Sequence, residues 1–91
     1  MPKYLIRREV PGAGRLSADA LHHLAAQSNA VLDRLGTSIQ WVQSYVTGDQ
    51  LFCVYNADGE ARIREHARLG GFPCDAITQV TGIIDPVTGE D

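Results

Sequence analysis

The stretch QWVQSYVTGDQLFCVY, residues 40–55, constrains the fold of this chain more than any other. Two runs of β-branched and aromatic residues flank the tetrapeptide TGDQ, residues 47–50, which is a compact turn signal. Runs of this kind on either side of such a turn are typical of a β-hairpin. The hairpin holds the only Trp, two of the three Tyr and one of the two Cys. It therefore predicts an aromatic surface mixed with polar groups.

The loop length of this hairpin decides which side chains share a face, because successive residues of a strand point to opposite sides of the sheet. A three-residue loop with a bulge would exchange the partners. We favour an even loop, of two or four residues. It puts one set of side chains on a common face: Val42, Ser44, Val46, Leu51, Cys53 and Tyr55. The set on the opposite face comprises Trp41, Gln43, Tyr45, Phe52 and Val54.

A strand and a long helix precede the hairpin. Residues 4–10 have the composition of a strand, which the segment PGAG, residues 11–14, ends. Ser17 suits the N-cap of the helix, and Gly36 suits its C′ position. Between them, apolar or small side chains recur every three or four positions: Leu21, Leu24, Ala25, Ser28, Leu32 and Leu35. That stripe predicts an amphipathic helix of about 18 residues.

A second helix and a last strand follow the hairpin. We expect this helix to be capped by Asp58, to span residues 59–69 and to end at GGFP, residues 70–73, since the residue before a proline avoids the helical region. Its inner face would carry Ile63, His66, Ala67 and Gly70. Residues 76–84 are strand-like, and residues 86–91 form a polar tail that we expect to be loose.

The predicted order, β-α-β-β-α-β, is that of the ferredoxin-like α+β fold, with two helices on one face of a four-stranded antiparallel sheet. We expect a single domain over residues 1–91, with an ordered core at about 3–85. The uncovered face of the sheet would expose an apolar patch, and such patches usually mark an interface. A homodimer that packs two sheets face to face, a dimeric α+β barrel, is therefore the expected assembly.

Composition and charge exclude several classes of partner. The net charge is −3 and the eight basic residues are interleaved with acidic ones, so we expect neither nucleic acid nor an anionic membrane as a partner. No apolar run approaches the roughly 18 residues of a membrane span, and no signal-peptide pattern precedes the first strand. Two cysteines without a secretory signal indicate reduced thiols, so we expect a cytoplasmic protein.

Four side chains of the hairpin are candidates for ligand binding. Trp41, Tyr45 and Tyr55 would form either a stacking platform for a planar ligand or the apolar seam of a dimer. Gln43 lies between two aromatic residues and would orient a bound ligand. The sequence leaves the two interpretations open.

Four further residues are candidates for charge or chemistry. His66 is either a metal ligand, a general acid or base, or a buried imidazole hydrogen-bonded to the backbone. Cys53 lies in mid-strand, where a free cysteine packs as a small hydrophobe unless a cationic neighbour activates it. Arg7 and Arg8 point to opposite faces of the first strand, and a buried Arg needs a carboxylate or a ligand anion.

Several segments of the chain are similar to a known family. They are YLIRRE (4–9), WVQSYVT (41–47), FCVY (52–55), IREHA (63–67) and GGFPCD (70–75). With them the chain resembles a family of small bacterial proteins of unknown function that is related to a nickel-binding protein. The resemblance covers nearly the whole chain and implies a ferredoxin-like dimer, with nickel or another divalent transition metal as cofactor. His66 and Cys53 match the family pattern and would be metal ligands, whereas Gln43 and Phe72 stand where related sequences often carry His.

Three interpretations remain open on this basis, one of which is a domain that serves only in assembly. The first is a cytoplasmic homodimeric binding protein that holds a transition metal or a small ligand near the second helix and the sheet. The second, by analogy with other dimeric α+β barrels, is a small enzyme of isomerase, oxygenase or dehydratase type with His66 as acid or base.

Overall fold

The computed structural model describes residues 1–91 and contains four strands and two α-helices. In chain order they are β1 (Lys3–Glu9), α1 (Ala18–Leu35), β2 (Ile39–Val46), β3 (Gln50–Ala57), α2 (Glu60–Gly70) and β4 (Ala76–Val80). The strands form one sheet in the order β2-β3-β1-β4, and every neighbouring pair is antiparallel. This is the topology of the ferredoxin-like fold, so the predicted fold class is confirmed.

Helix α1 begins and ends where the sequence predicts. The Ser17 hydroxyl accepts a hydrogen bond from the backbone N–H of Ala20 at 3.1 Å, which satisfies one of the free donors of the first turn. At the other end Gly36 has a φ of 74°, and its N–H donates to the carbonyl of Leu32. Residues with a side chain rarely adopt such a φ, so glycine suits this position.

Helix α2 is shifted by one residue from its predicted span and lacks the expected cap. Gly59, not Asp58, occupies the N-cap, and no side chain caps the helix. The backbone N–H of Asp58 instead donates to the carbonyl of Ser38 at 3.0 Å, which ties this turn to the segment before β2. The prediction of an Asp58 cap is therefore wrong, because that residue still belongs to the link between β3 and the helix.

The helices cover one face of the sheet, and alternate residues of the two central strands point toward them. The buried residues of β1 are Tyr4, Ile6 and Arg8. Those of β3 are Leu51, Cys53, Tyr55 and Ala57. Ile63, His66 and Ala67 of α2 pack over them, as the predicted inner face of that helix requires. Arg8 and His66 are ionisable exceptions in this otherwise largely apolar layer.

Strand β2 contains a β-bulge that changes which residues face the helices. Trp41 pairs with Tyr55, and Gln43 pairs with Val54, so Val42 is an extra residue between two regular pairs. An extra residue resets the alternation of the strand. Trp41 therefore shares the helix side with Tyr55, and its predicted place on the opposite face is wrong.

The remainder of β2 follows the predicted register. Ser44 and Val46 pair with residues whose side chains face the helices, while Gln43 and Tyr45 pair with residues of the uncovered face. Val42 was predicted to share a face with Cys53 and Tyr55 and is instead the bulged residue, with 49% of its surface exposed. The even-loop assignment is thus correct after the bulge and incorrect before it.

Strand β4 is shorter than predicted and ends at Val80 rather than at residue 84. Val80 pairs with Lys3, the first residue of β1, so residues beyond it have no partner strand. Residues 81–91 are all exposed, and Pro86–Gly89 form a short 3-10 helix capped by Asp85. Neither α1 nor α2 combines the length and hydropathy that a bilayer span requires.

Candidate ligand-binding site

A cavity of about 200 Å³ lies between α1 and the sheet. Most of its twelve lining residues are apolar. They are Arg8, Leu21, Leu24, Ala25, Ser28, Trp41, Ser44, Val46, Leu51, Cys53, Tyr55 and Phe72. Such a mostly apolar hollow with a few convergent polar groups is typical of a small-molecule site.

The stripe of α1 forms one wall of the cavity. Leu21, Leu24, Ala25 and Ser28 follow one another at helical spacing, so they share one face of the helix. The sequence predicted this stripe as the apolar face of an amphipathic helix. Part of that face, however, borders an unfilled space rather than packed side chains.

The bulge in β2 forms the opposite wall. Trp41 and Ser44 are three residues apart, which in a regular strand would put them on opposite faces. Val42 is the extra residue that brings both to the cavity, where the indole Nε1–H of Trp41 donates to the hydroxyl of Ser44 at 3.0 Å. The bulge thus orients the only Trp of the chain toward the site.

Arg8 is the most unusual residue of the site. Only 3% of its surface is exposed, and one guanidinium nitrogen, Nη1, donates to the carbonyl of Pro73 at 2.5 Å. The other, Nη2, is buried with no hydrogen-bond partner. The rings of Phe72 and Tyr55 lie 5.6 and 6.0 Å from the guanidinium carbon, within the range of cation–π contacts.

Burial and neighbouring groups set the charge states of Arg8 and Tyr55. Burial lowers the pKa of Arg8, but Tyr55 and Cys53 together raise it by more, so its net pKa lies above the usual value. Burial raises the pKa of the Tyr55 phenol, and Arg8 offsets only part of this effect. At neutral pH the site therefore holds a guanidinium cation and an uncharged phenol.

His66 lies behind the cavity rather than in its wall. Its side chain is 1% exposed, and its Nε2 is 3.1 Å from the hydroxyl of Ser28, which does line the cavity. Its other ring nitrogen, Nδ1, is buried with no partner. Burial, and then the positive charge of Arg8, lower the pKa of His66 to about 4, so the ring is neutral at pH 7.

The structure separates the four predicted ligand-binding residues into two pairs. Trp41 and Tyr55 line the cavity. Gln43 and Tyr45 lie on the uncovered face of the sheet, where the Gln43 amide donates to the Tyr45 hydroxyl at 2.6 Å and Tyr45 is 57% exposed. The bulge puts Trp41 beside Tyr55 and away from Tyr45, so the three aromatic side chains do not form one platform.

The predicted metal ligands His66 and Cys53 are both buried on the helix side of the sheet. No group of three or more His, Cys, Asp or Glu residues is arranged to hold a metal ion in this chain. The Nδ1 of His66, which is buried without a hydrogen-bond partner, is one nitrogen that could ligate a metal. Ni(II) favours a square-planar set of nitrogen and oxygen ligands, and the residues of one chain do not supply such a set.

Sequence reasoning assigned no site role to Ser28 or Phe72 and did not decide between the two arginines. Ser28 occupies a position of the apolar stripe, which was the available signal. Phe72 belongs to the predicted helix stop and stands where related sequences often carry His, and neither observation predicts a place in the cavity wall. The alternation of β1 did indicate that one arginine faces the helices, and that residue is Arg8.

Comparisons with known proteins agree with this fold. The crystal structure of SCO4226 from Streptomyces coelicolor A3(2) superposes with a TM-score of 0.72 at 19% sequence identity, over 90% of this chain and 99% of that one. No curated protein matches the sequence. The family model described as nickel responsive protein SCO4226-like matches residues 4–80. This chain therefore belongs to the SCO4226-like family of nickel responsive proteins.

Proposed function

We propose that this protein binds a small organic molecule in the cavity between α1 and the sheet. The observation that carries the proposal is an apolar hollow of about 200 Å³ whose wall includes the buried, incompletely paired guanidinium of Arg8. Native cores are packed with few voids larger than a water molecule. An unfilled space of this size beside an unsatisfied donor is what a binding site requires, and packing alone does not need it.

Binding accounts for the Ser28–His66 pair better than catalysis does. The Ser28 hydroxyl and the His66 Nε2 are as close as a nucleophile and its general base would be. However, a histidine whose pKa is about 4 is a weak base at neutral pH. No third group orients the ring, since Nδ1 has no partner. The enzyme interpretation with His66 as acid or base therefore has no support from this geometry.

The fluorescence of Trp41 provides a direct test, because this residue lines the cavity and is the only Trp. We would titrate two neutral probes, phenylacetamide and hexanamide, into the wild type, Ala25→Phe and Ala26→Phe. Ala25 lines the cavity, whereas its neighbour Ala26 is exposed. The phenyl group at position 25 would occupy the hollow, and the same group at position 26 would not.

We expect a saturable change in Trp41 emission for at least one probe in the wild type. Ala26→Phe should bind as the wild type does, and Ala25→Phe should bind at least about tenfold more weakly, which corresponds to about 1.4 kcal/mol. Equal binding in all three proteins would show that the probes bind elsewhere and would contradict the proposal.

Nickel is a second candidate ligand, favoured by the description of the family and by the unpartnered Nδ1 of His66. Cys53 is the other predicted metal ligand, and His66 and Cys53 alone do not complete a metal site. We rank nickel below an organic ligand for this reason. The metal would need further donors from outside the groups that one chain brings together.

Calorimetric titration of nickel chloride distinguishes this candidate. If His66 holds nickel, binding seen in the wild type is lost in His66→Ala and kept in His22→Ala, whose histidine is exposed on α1. Identical heats of binding in the three proteins would show that His66 is not a nickel ligand.

A further inference from the structure

We propose that the ligand of this cavity is a small aromatic or apolar monocarboxylate whose carboxylate pairs with Arg8. This inference rests on the proposed function and adds the chemical class of the ligand. It follows from three features of the site: a buried cation without a counter-ion, a mostly apolar wall and a restricted volume.

No carboxylate of the protein neutralises Arg8. The three ion pairs of the chain join Arg7 to Glu9, Arg62 to Glu65 and Arg64 to Glu60. Asp75, on the loop near β1, accepts a hydrogen bond from the backbone N–H of Glu9. The charge of Arg8 is thus met only by a backbone carbonyl and two aromatic rings.

Tyr55 and His66, which lie beside Arg8, carry no negative charge at neutral pH. The pKa of Tyr55 is raised, so its hydroxyl stays protonated. His66 is neutral because its pKa is lowered to about 4. The site therefore has one net positive charge, and a buried charge without a partner is strongly unfavourable. A ligand anion is the missing partner.

The single charge favours a carboxylate over a phosphate monoester. One guanidinium balances one negative charge and offers paired N–H donors that match the geometry of a carboxylate. A phosphate monoester carries nearly two negative charges at neutral pH. The second charge would remain unpaired among apolar side chains, since Arg8 is the only buried Arg or Lys and His66 is neutral.

The volume limits the rest of the ligand. An engineered apolar cavity of about 150 Å³ accommodates benzene. The present cavity, at about 200 Å³, has room for a ring and a short acidic group. Its lining includes Trp41 and several aliphatic side chains, which suit a flat apolar body.

Phe72 controls the approach to the free nitrogen of Arg8. A second hollow of about 300 Å³ adjoins the first, and both are lined by Arg8, Leu24, Leu51 and Phe72. Because Nη2 is sealed from solvent, a carboxylate reaches it only after a lining side chain moves. Phe72 lies on the loop after α2, is partly buried and borders both hollows, so its ring is the group that we expect to rotate.

A matched pair of probes tests the inference on the wild-type protein. Phenylacetate and phenylacetamide have nearly the same shape and differ in charge. We would measure both by isothermal titration calorimetry at pH 7 with the wild type, Arg8→Met and Arg8→Lys, and include phenyl phosphate as a dianionic probe.

We expect the wild type to bind phenylacetate about ten to a hundred times more tightly than phenylacetamide, which is typical of a charge-assisted pair. Arg8→Met should lose the preference for phenylacetate over phenylacetamide, and Arg8→Lys should keep part of it. Phenyl phosphate should bind more weakly than phenylacetate.

Two results would overturn the inference in distinguishable ways. If the amide binds as well as phenylacetate in the wild type, the cavity is a ligand site without an anion requirement. If neither probe binds at millimolar concentration, the proposed function itself fails. The comparison of the two probes on the wild type stands even if an Arg8 variant does not fold.

Discussion

At the scale of single residues, Arg8 has a charge that the folded chain does not neutralise. Its partners are one carbonyl and two rings, and Nη2 has none. Each hydrogen bond from a charged group contributes about 1.5–3 kcal/mol, whereas burying an ion costs several kcal/mol before compensation. The balance indicates a residue retained for binding rather than for stability.

Replacing Arg8 by Met tests that balance. An apolar side chain of similar length removes the buried charge, and such replacements are often neutral or stabilising by about 1–4 kcal/mol. We expect the free energy of unfolding of ligand-free Arg8→Met, from urea denaturation followed by circular dichroism, to equal or exceed that of the wild type. A loss of more than about 2 kcal/mol would mean that Arg8 is mainly structural.

His66 makes a second prediction at this scale, concerning pH. Its pKa is lowered from 6.5 to about 4 in the folded state, so the unfolded chain takes up a proton first as the pH falls. The stability contribution is complete above pH 6.5 and decreases as the pH falls toward 4. Between pH 7.5 and 5 we expect a loss of about 2 kcal/mol from this residue.

Urea denaturation at pH 7.5 and pH 5 measures this effect. The difference in unfolding free energy between the two pH values should be smaller by that amount in His66→Gln. His22→Gln, which alters an exposed histidine, should behave as the wild type does. If His66→Gln retains the full pH dependence, the neutral buried imidazole is ruled out.

At the scale of the elements, the end of α2 fixes a wall of the site. A side chain at Gly70 would overlap the ring of Phe72, which packs against this turn and lines the cavity. Phe72 also lies 5.3 Å from the ring of His66. The absence of a side chain at Gly70 therefore allows the Phe72 ring to take this position.

Gly70→Ala tests this dependence. The gain in helix propensity is about 1 kcal/mol, but displacing a packed ring costs about 1–3 kcal/mol, so we expect a net loss of stability and weaker phenylacetate binding. Gly59→Ala is the matched control, because a Cβ there meets nothing within 4 Å. Urea denaturation and Trp41 fluorescence measure both quantities. Wild-type binding in Gly70→Ala would show that Phe72 does not shape the site.

The elements also show how far the sequence predicts this molecule. The periodic stripe between Ser17 and Gly36 identified α1 to the residue, because cap chemistry and periodicity agree there. The bulge at Val42 could not be predicted, because the order of apolar and polar residues in QWVQSYV fits either strand register. Packing against α1 decides between the two registers. Three residues that line the cavity, Trp41, Cys53 and Tyr55, were predicted as candidate site residues. Ser28 was not, because its position in the apolar stripe predicts that it faces inward but not that it lines a site.

At the scale of the whole molecule, the uncovered face of the sheet remains to be accounted for. Leu5 and Tyr45 are exposed there, and Phe52 and Val54 are only partly buried. We expect a second copy of the chain to cover this face, as the sequence analysis predicts for a ferredoxin-like sheet. The cavity lies on the other side, between the sheet and α1, so its walls come from a single chain.

Sedimentation velocity tests the predicted homodimer. We expect the wild type to sediment as a dimer and Val54→Asp to sediment as a monomer, because a carboxylate at the centre of an apolar interface is costly to bury. Ala61→Asp, on the exposed side of α2, should remain dimeric. A monomeric wild type at high concentration would contradict the prediction but would leave the cavity intact.

Crystals grown with 4-bromobenzoate would show whether an aromatic carboxylate binds beside Arg8, because the anomalous signal of bromine locates the ligand without reference to any variant. We expect one bromine per chain, inside the cavity lined by Trp41 and Tyr55, with the carboxylate within about 3 Å of the Arg8 guanidinium. Bromine only on the uncovered face of the sheet, or a carboxylate turned away from Arg8, would contradict this expectation.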